Sequence, residues 1–352
     1  MENVQAYLQQ AVADGASDLF IISGSPVCEK LEKRLRMIGT DTLYPQHTRA
    51  LIQQIYEIAH RPMEHLEENG DDDFSCAVPG LARFRVNTYK QRGSLAAVVR
   101  IVAFDLPDWR SLNIPEGVMD LAELNHGMVL VTGTAGSGKS TTQACIIDRI
   151  NKTREAHVIT LEDPIEYLHR NCKSIISQRE IAIDTQDYLA ALRACLRQAP
   201  DVMLLGEMRD HETIRTAMTA AETGHLLIAT LHTKGAVNTI DRIVDSFPGD
   251  QQIQVRVQLA MVLEAVVSQQ LLPDKQGGLV PAYEIMIMNG AIRSMIRESK
   301  THQIDQAIAS GGSEGMVSMD QSILKLYQQG LIEKDTALDY ADNPDTLRRR
   351  LG

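Results

Sequence analysis

VLVTGTAGSGKSTT, Val129–Thr142, is the stretch on which the fold of this chain turns. An apolar run breaks into glycines and ends on a lysine followed by hydroxyls, so that Gly133, Gly138, Lys139 and Ser140 satisfy GxxxxGK[ST]. The context fits as well: MVLVT reads as a strand immediately before, and STTQACIIDRI as a helix immediately after, which separates a phosphate loop from a chance match. Glycines let backbone N–H groups curl around a phosphate chain at a helix amino terminus, where the lysine reaches the β- and γ-phosphates and the hydroxyl ligates Mg²⁺. Gly133, Thr134, Ala135, Gly136, Ser137, Gly138, Lys139, Ser140 and Thr141 are therefore the candidate ATP-binding residues, with Ser140 a candidate magnesium ligand.

Downstream the pattern repeats as strand, loop, helix. GMVLVTG, STTQACIIDRIN, AHVITLED, YLAALRACLRQ, DVMLLGE, ETIRTAMTAAETG and HLLIATLHT alternate short apolar strands with helical segments. That alternation predicts a parallel sheet covered on both faces, with chemistry at the carboxyl ends of its strands. DVMLLGE delivers Glu207 at such an end, where a phosphate-loop sheet places a carboxylate near Mg²⁺ and the γ-phosphate. TLEDPIEY delivers Glu162 and Asp163, carboxylates suited to orienting or activating an attacking water, with Pro164 stopping the strand and Glu166 read as surface. His232 follows the strand LLIATL where a γ-phosphate sensor sits, whereas His225, before that strand, is undecided on residues alone.

The first hundred residues read differently. NVQAYLQQAVADG and TRALIQQIYEIAH have helical spacing, DLFIIS is a short strand, and ARFRVNTYKQ and SLAAVVRIV form a hairpin through Arg92 and Gly93. This predicts a small α+β domain over residues 1–105. EHLEENGDDD lacks the ligand spacing of a calcium loop and reads as a solvated turn. FDLPDWRSLNIPEG, with two prolines and little periodicity, is the expected linker, with 106–115 between the domains and 116–352 forming the second. Beyond about residue 248 the chain reads as mostly helical, with one strand at LVPAYEIMIM and a helical carboxyl-terminal region from about 290. Arg83, Arg85, Arg92 and Arg100 lie on the two β runs. They serve as arginine fingers if their domain faces a neighbouring subunit's nucleotide, and otherwise as solvated cations pairing with DDD.

Composition narrows the function. At 352 residues two domains are expected, and 44% apolar with 23% charged residues fits a folded globular chain rather than a disordered one. A net charge of −11 argues against a protein whose main task is neutralising nucleic-acid phosphates, so no nucleic-acid partner is expected. Five cysteines without a CxxC pair suit reduced thiols and no structural zinc. The absence of a long apolar run and of a signal-peptide pattern predicts a cytoplasmic protein with no direct membrane insertion.

Taken together, the motifs GTAGSGKSTT, TLEDPIEY, DVMLLGEMRD, GHLLIATLHT with IDRIVDSFP, and AIRSMIRE come in an order that resembles the type IV pilus retraction ATPases, a branch of the secretion-type hexameric motors. AIRSMIRE is similar to that family's AIRNLIRE signature, with Ser294 and Met295 in place of Asn and Leu. The resemblance implies an α/β chain with a PAS-like amino-terminal domain followed by a RecA-like P-loop domain, assembled as a homohexamer. It implies Mg²⁺-dependent ATP hydrolysis that powers pilus retraction and twitching motility through an inner-membrane pilus platform protein, with the ring held peripherally at that membrane. On this chain it implies that Glu162, Glu207 and His232 are catalytic and that His225 contacts the nucleotide. It further implies Arg85 and Arg100 as the preferred fingers, and Ser140 and Glu207 as metal-organising. Two departures stand out: Phe20 occupies the histidine position of the family's SDLHL, and Ala135 replaces a usual threonine. Pilus assembly and type II secretion ATPases, which usually carry a longer amino-terminal extension and a paired-CxxC insertion, are the runner-up. A RecA-type DNA translocase and a non-hydrolysing paralogue are weaker alternatives.

Overall fold

A computed structural model describes residues 3–31, 34–102 and 106–351. Glu32 and Lys33, within the divergent amino-terminal segment, and Phe104 and Asp105, at the start of the expected linker, lie outside the described residues. The chain divides into two compact units, Met1–Asp105 with Glu166–Leu168, and Leu106–Ile165 with His169–Gly352.

The first unit carries helices α1 (Val4–Ala13), α2 (Pro45–Ile58) and α3 (Glu64–Asn69) with strands β1 (Asp18–Ile21), β2 (Cys28–Leu31), β3 (Arg34–Met37), β4 (Asp71–Val78), β5 (Ala82–Gln91) and β6 (Ser94–Val102). The sheet runs β3-β2-β1-β6-β5-β4, antiparallel throughout. Strand β4 alternates exposed and buried residues, and its Phe74 packs with Tyr56, Ile52 and Leu8 of the helices in one core. The predicted hairpin turn is present: Arg92 and Gly93 both have positive φ, 47° and 77°, the geometry whose twist suits a two-residue connection.

EHLEENGDDD is not a solvated turn. It supplies α3 and the start of β4, and Asp72 is buried, accepting hydrogen bonds from Tyr56 Oη at 2.9 Å and from Arg61 Nη2 at 2.9 Å. A buried carboxylate needs such partners, and neither is legible from a charge run. Strands β2 and β3 were also not foreseen, because β3 exposes every residue and shows no apolar alternation.

The second unit contains α4 (Glu116–Met119), β7 (Gly127–Thr132), α5 (Lys139–Thr153), β8 (His157–Glu162), β9 (Ile175–Glu180), α6 (Tyr188–Cys195), β10 (Val202–Leu205), α7 (His211–Glu222), β11 (Leu226–Leu231), α8 (Ala236–Asp245) and α9 (Gln252–Val262). It continues through β12 (Leu263–Pro273), β13 (Leu279–Ile287), α10 (Gly290–Arg297), α11 (Ile304–Ser310), α12 (Met319–Gln328), α13 (Lys334–Tyr340) and α14 (Pro344–Leu351). Its sheet runs β13-β12-β7-β11-β10-β8-β9, parallel except for the β12–β13 hairpin. Strands β7, β10 and β11 are buried at every residue, as expected when helices cover both faces. Residues 106–115, expected as linker, pack on this unit: Ile114 is buried, and Leu106, Trp109 and Leu112 lie against the same core.

Strand β12 contradicts the helical reading of the chain beyond 248. Helix α9 passes into it with no intervening loop, Val262 ending one and Leu263 starting the other, so no glycine or proline announces the change. A distant group makes the break: Arg293 of AIRSMIRE donates to the carbonyls of Ala260 and Met261 at 2.6 and 3.0 Å. The same guanidinium grips Glu264 through two bonds of 3.0 Å. Charge-assisted bonds of this kind satisfy the last carbonyls of a helix and fix its exit.

A cavity of about 710 Å³ between α8, β13 and the terminal helices is lined by Glu284, Asp305, Asp320 and Asp342, facing Lys234 and Arg350. Glu284 is buried, and its Oε1 accepts from the Ala236 amide at 2.7 Å. Burial pushes its carboxyl up to about 7, and nearby Asp342 and Asp305 add to the rise against the Ala236 bond. Because the folded value lies above the ordinary 4.5, the stability that protonated Glu284 contributes is present below about pH 4.5 and is lost as pH rises through 7. Glu284→Gln keeps the acceptor for Ala236 without ionising. Its stability relative to the parent should rise by up to about 3 kcal/mol between pH 5 and 8, followed by denaturant midpoints. A difference that stays constant across that range would show that Glu284 titrates as an ordinary surface carboxylate.

Candidate functional site

The site is built on the carboxyl edge of the parallel sheet. In register, Thr132 of β7 lies beside Leu231 of β11, Ala229 beside Leu205 of β10, and Leu205 beside Leu161 of β8. The residues that follow each strand therefore emerge at one edge, in the order phosphate loop, His232, Glu207, Glu162, with strands roughly 4.8 Å apart.

At the end of β7 the chain turns through Gly133 and Gly138, with φ of 143° and 88°, into α5. Positive φ favours glycine at both, and at Gly133 space demands it as well. A Cβ on Gly133 would lie 2.3 Å from the Gln269 carbonyl oxygen, and one on Gly138 would lie 2.8 Å from Gln269 Nε2. Lys139 is buried, and its ammonium donates to the carbonyls of Gly133 and Thr134 at 2.9 Å each. Thr134, Ala135 and Gly136 are exposed at the crest of the loop, Ser137 is buried beneath it, and Ser140 and Thr141 are half-buried. Ala135 thus stands on the crest, where neither a close backbone approach nor a core contact depends on it. Glycines pressed against a neighbouring strand, with a lysine folded over them at a helix start, suit a polyphosphate chain.

Glu207 follows β10. Arg209 and Glu207 form an ion pair, and His232 Nε2 lies 3.4 Å from the other carboxylate oxygen, Oε2. The backbone beneath is fixed: Gly206 N–H donates to Leu161 O at 2.8 Å, the Thr230 hydroxyl donates to Gly206 O, and Met208 N–H donates to Thr230 O at 3.1 Å. Glu162 ends β8, where its Oε1 accepts from Thr160 Oγ1 at 2.6 Å and from Gln178 Nε2 at 3.1 Å. Beside Glu207 and Asp163, a cavity of about 390 Å³ holds Tyr188, whose hydroxyl is pushed up first by burial and then by the Asp163 and Glu207 charges.

Not every candidate joins this edge. His225 precedes β11 and so stands at the amino end of a six-residue strand, about 20 Å from the phosphate-loop edge. Its Nδ1 lies 3.0 Å from Ala220 O and 3.1 Å from Thr223 Oγ1, at the end of α7. The structure therefore does not bring His225 together with the phosphate loop, Glu207 and Glu162. Arg85 and Arg100 lie in the first unit as directly opposed residues of β5 and β6. Arg85 pairs with Asp73 at 2.8 Å and Arg100 with Asp18 at 2.9 Å, so the expected pairing with DDD is met at Arg85.

Several residues escaped the sequence reading. Gln269 touches both ends of the phosphate loop, and Ser268 Oγ accepts from Gly235 N–H at 2.9 Å, holding the chain that leaves His232. Both lie on β12, whose strand character has no local signal. Gln178 comes from β9, likewise unforeseen.

Whether the residues fit magnesium is a question of donors. Among the described residues no group of three or more His, Cys, Asp and Glu side chains could hold a metal ion. In nucleotide sites phosphate and water provide most of the ligands of Mg²⁺, and the protein adds one or two. Ser140 lies half-buried in the first turn of α5, and Glu207 follows β10 at the same sheet edge.

Residues 1–312 match the model of the type II/IV secretion system protein family. The chain belongs to that family. It is 42% identical to the type IV pilus retraction ATPase PilT of Pseudomonas aeruginosa, over 98% of this chain and 100% of that protein. It is 47% identical to a twitching motility protein of Neisseria gonorrhoeae, over 80% of this chain and 75% of that one. A crystal structure of the pilus retraction motor PilT with bound ADP matches at a TM-score of 0.91 and 43% identity, over 99% of this chain and 100% of that chain. The chain is an α/β ATPase, with an amino-terminal α+β domain and a RecA-like nucleotide-binding domain. Among the described residues no helix is long and apolar enough to cross a membrane.

Proposed function

We propose that this chain is the ATP-hydrolysing motor of type IV pilus retraction, working as a homohexamer on an inner-membrane platform protein. The observation that carries the reading is the near end-to-end likeness to a retraction ATPase, joined to a sheet edge where a phosphate loop, two strand-end carboxylates and a histidine meet. In this reading Gly133–Thr141 bind the phosphates of ATP, with Lys139 moving from its loop carbonyls onto the β- and γ-oxygens. Ser140 and Glu207 would hold Mg²⁺, which would supply neutralisation of the charge on the phosphates. Glu162, kept in place by Thr160 and Gln178, orients the attacking water and takes its proton. His232, beside Glu207, reads the γ-phosphate.

Arg85 and Arg100 act on a neighbouring subunit's nucleotide, releasing Asp73 and Asp18 to do so. Such an inserted guanidinium is worth on the order of 10³ to 10⁵ in rate. A ring that needs fingers from its neighbour hydrolyses only when assembled, which suits a machine that converts hydrolysis into stepwise rotation. The ring is cytoplasmic and held at the inner membrane through the platform rather than by insertion. Against the runner-up, an assembly or type II secretion ATPase, stands the lack of any paired CxxC in the sequence.

Deleting the gene in its host and imaging pili live should leave fibres that extend but no longer shorten; loss of the fibres themselves would favour the assembly reading. Glu207→Gln should lower kcat about 100-fold or more with ATP binding kept; turnover equal to the parent's would remove Glu207 from the catalytic set. Rings mixed from Arg85→Ala and Lys139→Ala subunits should recover activity that neither homogeneous ring has, and no recovery at any mixing ratio would contradict action across the interface.

A further inference from the structure

Gln269 is 3% exposed, on β12 next to the strand that feeds the phosphate loop. Its backbone oxygen lies 2.3 Å from where a Cβ would stand on Gly133 at the loop's entrance, and its side-chain nitrogen 2.8 Å from where one would stand on Gly138 at the exit. Its side-chain oxygen accepts from Thr142 Oγ1 at 2.7 Å, within the first turn of α5 that Lys139 opens. One residue therefore touches both ends of the loop and the helix behind it. A buried carboxamide is a costly choice where Val266, Val267 and Leu272 of the same strand fill the core with apolar groups, unless its bonds are needed.

We propose that Gln269 is a positioning residue for ATP: it sets the span between Gly133 and Gly138 and locks α5 to β12, so that the loop amides converge before phosphate arrives. It touches none of the reacting atoms and works through the loop. Because a preformed loop binds the phosphates without an ordering cost, the gain falls on nucleotide binding in ground and transition state alike. The inference rests on reading Gly133–Thr141 as the ATP site.

The test is steady-state ATPase kinetics with ADP titrations on the assembled full-length protein. Gln269→Leu removes the acceptor of the Thr142 hydroxyl and should raise KM for ATP and Kd for ADP about tenfold, with kcat within about twofold, the pattern of lost uniform binding. Thr142→Val breaks the same bond from the helix side and should give the same split, whereas Thr142→Ser, which keeps the hydroxyl, should restore parental KM. The double variant Gln269→Leu with Thr142→Val should cost little more than the worse single change, since both remove one interaction. If Gln269→Leu does not fold, the two Thr142 variants carry the comparison. Unchanged KM and Kd in the Gln269 and Thr142→Val variants, or equal loss in Thr142→Ser and Thr142→Val, would overturn the proposal. Lys139→Ala separates the two levels: ADP affinity lost there but kept in Gln269→Leu leaves the ATP site standing and removes Gln269 from it. Affinity kept in Lys139→Ala overturns both.

Discussion

Parallel pairing in register is the constraint on which this molecule depends. With Leu231 beside Thr132, and Leu205 beside both Ala229 and Leu161, four strands end together. The phosphate loop, His232, Glu207 and Glu162 all stand at those ends. A shift of one residue in any pair would turn that strand's side chains to the opposite face, which a sheet packed on both faces cannot absorb. The fully buried strands β7, β10 and β11 therefore fix the spacing of the phosphate loop, His232 and Glu207 more firmly than any direct contact between them.

The outer strands brace what the central strands deliver. Thr160 and Gln178 hold Glu162 from β8 and β9, while on the other flank successive residues of β12 serve two loops, Gln269 the phosphate loop and Ser268 the segment after His232. Glu284 of β13 takes the next amide of that segment, Ala236. Arg293 completes this flank by closing α9 and gripping Glu264, so that β12 starts where it must. The AIRSMIRE segment thus acts, within this chain, on the strand that supports the nucleotide loop.

Charge in the first unit is arranged differently. Two arginines directly opposed on β5 and β6 would repel were they alone, and each has a carboxylate, Asp73 or Asp18, within hydrogen-bond distance. The Arg100 side chain is 66% exposed and that of Arg85 41%, so both pairs are reached by solvent and exchangeable rather than structural locks. Asp72, one residue before Asp73, is the opposite case: buried and bonded by Tyr56 and Arg61, it belongs to the core. Adjacent aspartates therefore have opposite fates set by the alternation of one strand.

The sequence by itself determined the phosphate loop, the parallel sheet around it, the strand-end positions of Glu162, Glu207 and His232, and the hairpin at Arg92 and Gly93. Each of these is written in a local period or a short motif, where chain geometry over a few residues decides the outcome. Tertiary structure alone decided the rest. It made a strand of LEAVVSQQLLP, which carries no break from the helix before it, because Arg293 and the edge of β7 claim that segment from a distance. And it brought Gln269 against the loop that opened the sequence, a contact across more than 120 residues that no spacing rule encodes.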